Sequence, residues 1–255
     1  MSIASLAGAR IPHVAAGDPY FSDVILLWNM RDAIVTAPPL DESIYGKTYS
    51  TYGGAPLYKT DVNDGPFAGG HCADHRNATG GGYAPPRAFA TDAVWDFNPA
   101  TGTLTVEGWV KVTAIAGNGA SSTIRPMDAA GSGNWIWPAF VYQSGVVRAQ
   151  GNIIGSQILD VAAGVSPSVW FHYVMQSTGT QTWFAVNGVR LGSYTWGSYN
   201  WNNIALQMGG TTTGGTIVGA GAYYGPHRVT LGHNRYGLDT STTYEVPTDF
   251  FPTST

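Results

Sequence analysis

Apolar residues in this chain recur at every second position or in short continuous runs that turn residues interrupt. The stretch 103–112 (TLTVEGWVKV) alternates most cleanly, and a period of two is typical of a β-strand with one face toward a core. One face of this strand comprises Leu104, Val106, Val110 and Val112. The other face comprises Thr105, Glu107, Trp109 and Lys111. No window of a dozen residues shows helical spacing free of Gly or Pro, so the pattern predicts an all-β chain.

Short apolar runs with turn residues between them predict the other strands. They cover residues 24–28, 136–142, 146–150, 157–161, 170–177, 183–186, 189–193, 204–208 and 223–230. The run 24–28 (VILLW) is continuous, which is typical of a strand buried on both faces. Asn187-Gly188 separates two β-prone runs, and both residues tolerate the positive φ of a type I′ hairpin turn. About a dozen strands fit a two-sheet antiparallel sandwich better than a small barrel.

The distribution of Pro and Gly indicates one domain with irregular ends. Residues 1–17 lack strand periodicity and are predicted to form an extended N-terminal arm, while residues 18–255 form a single domain. The Gly-rich stretch 209–221 is interpreted as a flexible loop or an edge strand. The tail, residues 236–255, contains two prolines and is expected to lie over the surface of the sandwich.

Composition and charge narrow the range of functions. The chain has 255 residues, of which 44% are hydrophobic, so it can bury one sizeable core. Its net charge of −4 and 11% charged residues argue against a nucleic-acid-binding surface. The single cysteine, Cys72, excludes an internal disulfide. No run of 18 apolar residues and no basic leader occur, so we expect no membrane span and no signal peptide.

Several short motifs follow one another in a defined order along residues 18–252. They are Asp18-Pro19-Tyr20-Phe21, Thr105-Val106-Glu107-Gly108-Trp109-Val110, Trp170-Phe171-His172, Val186-Asn187-Gly188 with Gly192, and Arg228-Val229-Thr230-Leu231-Gly232 with Arg235-Tyr236, Pro247 and Phe251-Pro252. In this order and spacing they resemble the laminin-G-like (concanavalin A-like) jelly roll of bacteriophage structural proteins. The resemblance implies a two-sheet antiparallel jelly-roll sandwich.

The same resemblance implies a function. It points to a structural protein of a phage virion, such as a tail, fibre or capsid decoration component, which is made in the host cytoplasm. Its partners would be other virion proteins, further copies of itself (a trimer is one candidate) and a host-surface glycan. Two departures argue against carrying over a calcium site: Gly225-Pro226-His227 replaces the usual acidic pair, and residues 69–86 are rich in His and Gly.

Catalysis has one candidate residue. Glucanases of this fold need two carboxylates about 5 Å apart on a strand, and neither Glu42 nor Glu107 has a carboxylate partner at i+2 or i+4. Glu245 has Asp249 at i+4, but it lies in the proline-containing tail and not on a predicted strand. Glu107, on a predicted strand, is the only candidate, and we expect it instead to accept hydrogen bonds from a neighbouring strand. No protease or esterase motif is present. We therefore expect a protein without enzymatic activity, with a glycoside hydrolase or lyase as a less favoured alternative.

One cluster of residues is a candidate metal site, and one further histidine has a candidate structural role. His71, Cys72, Asp74 and His75 offer ligands within five residues, but no second segment completes a zinc site, so we expect no metal and no cofactor. His172 lies between two aromatic residues of a predicted strand. We expect it to be a structural residue that is hydrogen-bonded near the sheet edge.

Aromatic residues supply the candidate ligand-binding surface. They comprise Tyr194, Trp196, Tyr199 and Trp201, followed by Asn202, with Trp135 as a weaker second candidate. Aromatic faces beside amides suit sugar rings, but they also suit a subunit contact or simple core packing. All three interpretations remain open from the sequence. A carbohydrate-binding module of a surface protein is the alternative to the virion function.

Overall fold

The computed structural model describes most of the chain in several stretches. These are residues 17–31, 40–46, 50–51, 59–62, 64–74, 86–89, 102–113, 120–122, 124–128, 136–153, 156–179, 181–195, 204–208, 211–213, 216–218 and 222–254. Gly17 is the only residue of the predicted N-terminal arm among them.

Eighteen β-strands and one 3-10 turn (Phe21–Asp23) make up the regular structure of this part of the chain. The strands are β1 (Val24–Trp28), β2 (Ser50–Thr51), β3 (Lys59–Val62), β4 (His71–Asp74), β5 (Pro86–Phe89), β6 (Thr103–Val112), β7 (Ala120–Ser122), β8 (Ile124–Asp128), β9 (Ile136–Gln143), β10 (Val146–Ile153), β11 (Ser156–Ala162), β12 (Phe171–Thr178), β13 (Gln181–Val186), β14 (Val189–Thr195), β15 (Ile204–Met208), β16 (Thr211–Thr213), β17 (Thr216–Val218) and β18 (Ala222–Leu231).

The strands pair antiparallel in four sheets. The largest has eight strands in the order β14-β13-β12-β6-β18-β4-β3, with β1 paired to β18. Two four-stranded sheets have the orders β11-β10-β9-β7 and β2-β5-β15-β8, and β16 pairs with β17. This arrangement is an all-β jelly-roll sandwich, which confirms the predicted fold class.

Local sequence signals placed several strands correctly. The bounds of β1, β6 and β15 match the predicted ranges, and every residue of β1 is buried, as its continuous apolar run indicated. Asn187 and Gly188 have φ values of 45° and 84°, which confirms the type I′ turn between β13 and β14. The stretch 209–221 contains β16 and β17, so part of it is a small hairpin.

The core lies between the eight-stranded sheet and the sheet that contains β9, β10 and β11. The apolar face of β6, predicted from its alternation, packs into this core together with residues of the opposite sheet. Phe140 is at its centre, with its ring centroid 4.8 Å from that of Phe171 and 5.5 Å from that of Tyr173. We call the core-facing side of the eight-stranded sheet its inner face, and the opposite side its outer face.

A tight contact on the inner face explains the glycine in the middle of β6. Gly108 lies opposite His227 of β18, and a Cβ on Gly108 would lie 2.6 Å from Nε2 of the buried His227 ring. We expect Gly108→Ala to lower the free energy of unfolding by about 1–3 kcal/mol, because the ring and backbone must shift. Urea denaturation measures the change. At Gly192 the added Cβ would meet only the end of the Leu159 side chain, at 3.0 Å, so Gly192→Ala is the milder control. Equal losses in both variants would contradict this explanation.

Two chain segments cover the outer face. The opening segment (residues 17–23) and the closing segment (residues 232–254) are joined by a hydrogen bond from the amide of Asp18 to the carbonyl of Ser254, 2.8 Å long. The closing segment buries Leu238 and Phe251 against the sheet, which confirms that the tail lies over the sandwich. It also pairs with the edge of β14 through a bridge between Val189 and Thr243.

This covering makes the outer face of β6 a buried surface. Thr105, Glu107 and Lys111, which alternation places opposite the core, are all buried. A polar face that is covered by protein needs internal hydrogen-bond partners, because water cannot supply them. Thr105 donates to the carbonyl of His233 in the closing segment, Lys111 forms an ion pair with Asp64, and Glu107 belongs to a cluster of charged groups.

Candidate functional site

Glu107 and Arg228 form the centre of a buried charge cluster on the outer face. They face each other across the pairing of β6 and β18, and the antiparallel register places their side chains side by side. Nε of Arg228 donates to Oε1 of Glu107 at 2.9 Å, and Nη2 lies 2.8 Å from the same oxygen. Both side chains are buried. Glu107 and Arg228 therefore form a desolvated ion pair held by two contacts.

Asp18 joins the two covering segments to this pair. Its carboxylate accepts a hydrogen bond from Nη1 of Arg228 at 2.8 Å. It also accepts two from Arg235, from Nη1 and Nη2, each 2.9 Å long. Nε of Arg235 donates to Oγ1 of Thr230 on β18 at 2.6 Å. The opening segment, the closing segment and the sheet are thus linked through charge-assisted hydrogen bonds.

His172 and two tyrosines complete the cluster. The hydroxyl of Tyr236 donates to Oε2 of Glu107. Nε2 of His172 lies 3.4 Å from that same oxygen, without the geometry of a hydrogen bond. Nδ1 of His172 is 2.9 Å from the hydroxyl of Tyr244. Both tyrosines belong to the closing segment, so the closing segment is bound to the sheet by hydroxyls as well as by Arg235.

The position of His172 corrects one expectation. It is hydrogen-bonded, as predicted, but it does not lie near the sheet edge: β12 lies between β13 and β6, in the interior of the sheet. The flanking aromatics indicated a strand but gave no information on which strands pair with it. The sheet order, set by contacts distant in sequence, decides this position.

The surroundings set the ionisation of these groups. Burial alone would raise the pKa of Glu107, but the positive charge of Arg228 and the contact with His172 outweigh it and hold this pKa well below its ordinary value. Burial lowers the pKa of His172, although Glu107 acts in the opposite direction. Burial, reinforced by Glu107, raises the pKa of Tyr236. Glu107 is therefore ionised, enclosed and bound by Arg228 of the neighbouring strand, as predicted.

The cluster brings together the polar residues of motifs that are far apart in the sequence. Asp18, Glu107, His172, Arg228 and Arg235 come from four of the motif groups that carry the resemblance to the laminin-G-like jelly roll. The sequence singles out Glu107 and His172 as individual candidates, whereas the other three stand out only as parts of motifs. Tyr244 was not predicted, because it belongs to none of these motifs. The motifs therefore mark a structural network on the outer face.

Tyr194 is the one predicted ligand-binding residue in the described part of the chain. Its side chain is only 6% exposed, and its hydroxyl donates to Sδ of Met175 at 3.6 Å. Its ring belongs to the core, which is the packing alternative for this residue. The other predicted residues lie outside the described stretches. They are Trp135, Trp196, Tyr199, Trp201 and Asn202.

The candidate metal ligands are only partly described. His71 and Cys72 lie on β4, where Cys72 is fully buried. The side chain of Asp74 and the whole of His75 lie outside the described part. Among the side chains that are described, no group of three or more His, Cys, Asp or Glu residues is arranged to hold a metal ion.

No family model matches this sequence, and no curated protein matches it. Solved structures do resemble it. The binding domain of Paraclostridial Mosquitocidal Protein 1 has a TM-score of 0.52 at 9% identity, covering 83% of this chain and 49% of that one. Domain 4 of AbnA, a GH43 extracellular arabinanase from Geobacillus stearothermophilus in complex with arabinotriose, has a TM-score of 0.52 at 12% identity, covering 82% and 93%.

A third similar structure is botulinum neurotoxin type C, whose cell entry depends on interaction with two ganglioside molecules. It has a TM-score of 0.52 at 9% identity, covering 82% of this chain and 48% of that one. The chain thus spans about half the length of the two toxin chains. At these identities the similarity establishes the fold: the chain is a jelly-roll β-sandwich domain. Within the described residues, no helix is long and apolar enough to cross a membrane.

Proposed function

We propose that this chain is a non-enzymatic binding protein. The observation that carries the proposal is the state of Glu107, the only catalytic candidate on a strand. It is fully buried, bound by Arg228 and Tyr236, and covered by the closing segment. A carboxylate whose pKa is lowered and which has no contact with solvent is a poor general acid and a poor nucleophile.

The ligand class we propose is a glycan. Two of the similar structures carry this class in their descriptions: arabinotriose is bound to Domain 4 of AbnA, and gangliosides interact with botulinum neurotoxin type C. This supports the proposal by analogy of fold, and the sequence adds an aromatic content of 13%, since Trp and Tyr rings can pack on sugar rings.

A glycan array combined with a degradation assay tests both parts. We expect the full-length chain to be retained on a defined set of glycans and to release no reducing ends from β-glucans or anionic polysaccharides. Release that is lost in Glu107→Gln, while the variant keeps the circular dichroism spectrum of the wild type, would overturn the non-enzymatic proposal. Retention on no glycan would overturn the proposed ligand class.

A role as a structural component of a phage virion is the more specific candidate. It is supported by the order and spacing of the motifs alone, which resemble those of bacteriophage structural proteins. In this role the jelly roll makes contacts with other virion proteins and with copies of itself, and it also binds a host glycan. A free-standing carbohydrate-binding module is the competing function.

Light scattering on the chain with and without residues 1–17 separates these two functions. For the virion component we expect an oligomer that falls to monomer on truncation, because the arm then supplies the contacts between copies. Asp18 is retained in the shorter chain, so the buried charge cluster stays intact. A monomer in both cases would favour the free-standing module.

A further inference from the structure

A solvent-open depression lies on the outer surface of the closing segment. It has a volume of ≈ 470 Å³. Its lining comprises Arg235, Tyr236, Tyr244, Glu245, Val246, Pro247 and Thr248. Tyr194, the one predicted ligand-binding residue in the described part of the chain, does not contribute to it.

The two tyrosines in this depression are held in place from beneath. Their hydroxyls are bound in the buried charge cluster, that of Tyr236 by Glu107 and that of Tyr244 by His172. Their ring centroids are 4.8 Å apart at an interplanar angle of 60°. A ring whose polar end is anchored in the interior loses little further freedom when a ligand packs against it. The aromatic part of the depression is therefore preorganised.

The two charged side chains that line the depression, Arg235 and Glu245, differ in whether they are free to bind a ligand. Arg235 donates from Nη1 and Nη2 to Asp18 and from Nε to Thr230, so its charge is already compensated. Glu245 is exposed and makes no ion pair with any residue in the described stretches. Thr248 is exposed as well. A ligand would thus meet a carboxylate that accepts hydrogen bonds, a threonine hydroxyl and two tyrosine rings.

We propose that this depression is a subsite for one neutral sugar residue of a glycan. The sugar packs its C–H face on the Tyr236–Tyr244 pair, and its hydroxyls donate to the carboxylate of Glu245. The same carboxylate repels sialic or uronic acids, since the neighbouring guanidinium is already paired. The inference rests on the proposed glycan-binding function and adds the position of the site and its preference for uncharged sugars.

Amide chemical-shift mapping of the full-length chain by NMR tests the subsite. The probes are a neutral arabino- and gluco-oligosaccharide series and a sialylated trisaccharide. We expect the neutral sugars to perturb the amides of residues 235–248 and the sialylated sugar to perturb them less. Glu245→Ala should weaken the binding of the neutral sugars by about tenfold, which corresponds to the loss of a hydrogen bond to a charged acceptor.

Matched control variants distinguish an error in the proposed subsite from an error in the proposed glycan-binding function. Asp249→Asn changes a charge on the same segment outside this depression and should leave affinity unchanged. Thr248→Ala removes a hydroxyl from the lining of the depression and should also weaken binding of the neutral sugars, with Thr242→Ala as its control outside the depression. If a glycan binds but Glu245→Ala and Thr248→Ala leave its affinity unchanged, the subsite is wrong and the proposed function stands. If no probe and no arrayed glycan binds, both fail. Tighter binding of the sialylated sugar would overturn the proposed preference.

Discussion

We expect Glu107→Ala to lower the free energy of unfolding by about 3–5 kcal/mol, a larger loss than that expected for Gly108→Ala. The reason is that Arg228 would remain buried with one of its two anionic partners gone, while Tyr236 would lose the acceptor of its hydroxyl. Removing one member of a buried pair leaves an uncompensated charge that water cannot reach. Equilibrium denaturation in urea measures the loss, and Glu107→Gln is the isosteric variant if the alanine chain does not fold.

A surface ion pair provides the control for this experiment. Arg148 and Asp160 approach within 2.6 Å, but both side chains are partly exposed. Because solvent screens such a pair, Asp160→Ala should cost only about 0–1 kcal/mol. Replacing both members of the buried pair, in Glu107→Leu/Arg228→Met, should recover part of the loss. A Glu107→Ala chain that is no less stable than Asp160→Ala would show that the cluster does not hold the covering segments in place.

The sequence was informative where local periodicity determines structure. Strand β6 was predicted with its bounds because ten residues alternate without interruption, and the hairpin after β13 was predicted because Asn187-Gly188 suits a type I′ turn. Strand β1 was predicted from five continuous apolar residues. Each of these signals acts over fewer than a dozen residues and needs no information about distant parts of the chain.

The candidate site depends on contacts between distant segments, which periodicity does not reveal. Asp18 and Arg228 are separated by 210 positions, and Tyr236 and Glu107 by 129. Alternation placed Glu107 on the side of β6 opposite the core, but it gave no sign that residues 17–23 and 232–254 would cover that side. The motif order contained the polar members of the cluster, so grouping Asp18, Glu107 and Arg228 by charge was the one available signal.

The second large effect concerns two buried histidines, one on each face of the eight-stranded sheet. His227, on the inner face, is bound through Nδ1 to the carbonyl of Gly225 at 2.7 Å, so that nitrogen carries the proton. Its Nε2 is buried and has no hydrogen-bond partner among the described residues. The rings of Tyr173 and Tyr224 pack around it. Burial lowers the pKa of His227 to about 3. Burial also lowers the pKa of His172 on the outer face.

These pKa values make stability dependent on pH. An unfolded histidine titrates near its ordinary pKa of 6.5, so the unfolded chain binds more protons than the native one between pH 6.5 and about 3. The contribution of these histidines to the free energy of unfolding is therefore fully present above about pH 6.5, and it is lost as the pH is lowered through that window. His227 contributes a slope of about 1.4 kcal/mol per pH unit in this window, and the lowered pKa of His172 adds to the slope in the same direction. Glu107 acts in the same direction below pH 4.5, since its native pKa is lowered and its charge is needed by Arg228.

Urea denaturation between pH 7.5 and 4 measures this dependence, and the imidazole NMR signals identify its source. We expect the free energy of unfolding to fall by several kcal/mol across this range, with the signal of His227 remaining at its neutral position in the native state. In His227→Gln the slope of the free energy of unfolding against pH should decrease by about 1.4 kcal/mol per pH unit, because glutamine does not titrate. A native His227 signal that titrates near pH 6.5 would contradict the prediction, since a ring protonated so readily cannot be enclosed without a partner for Nε2.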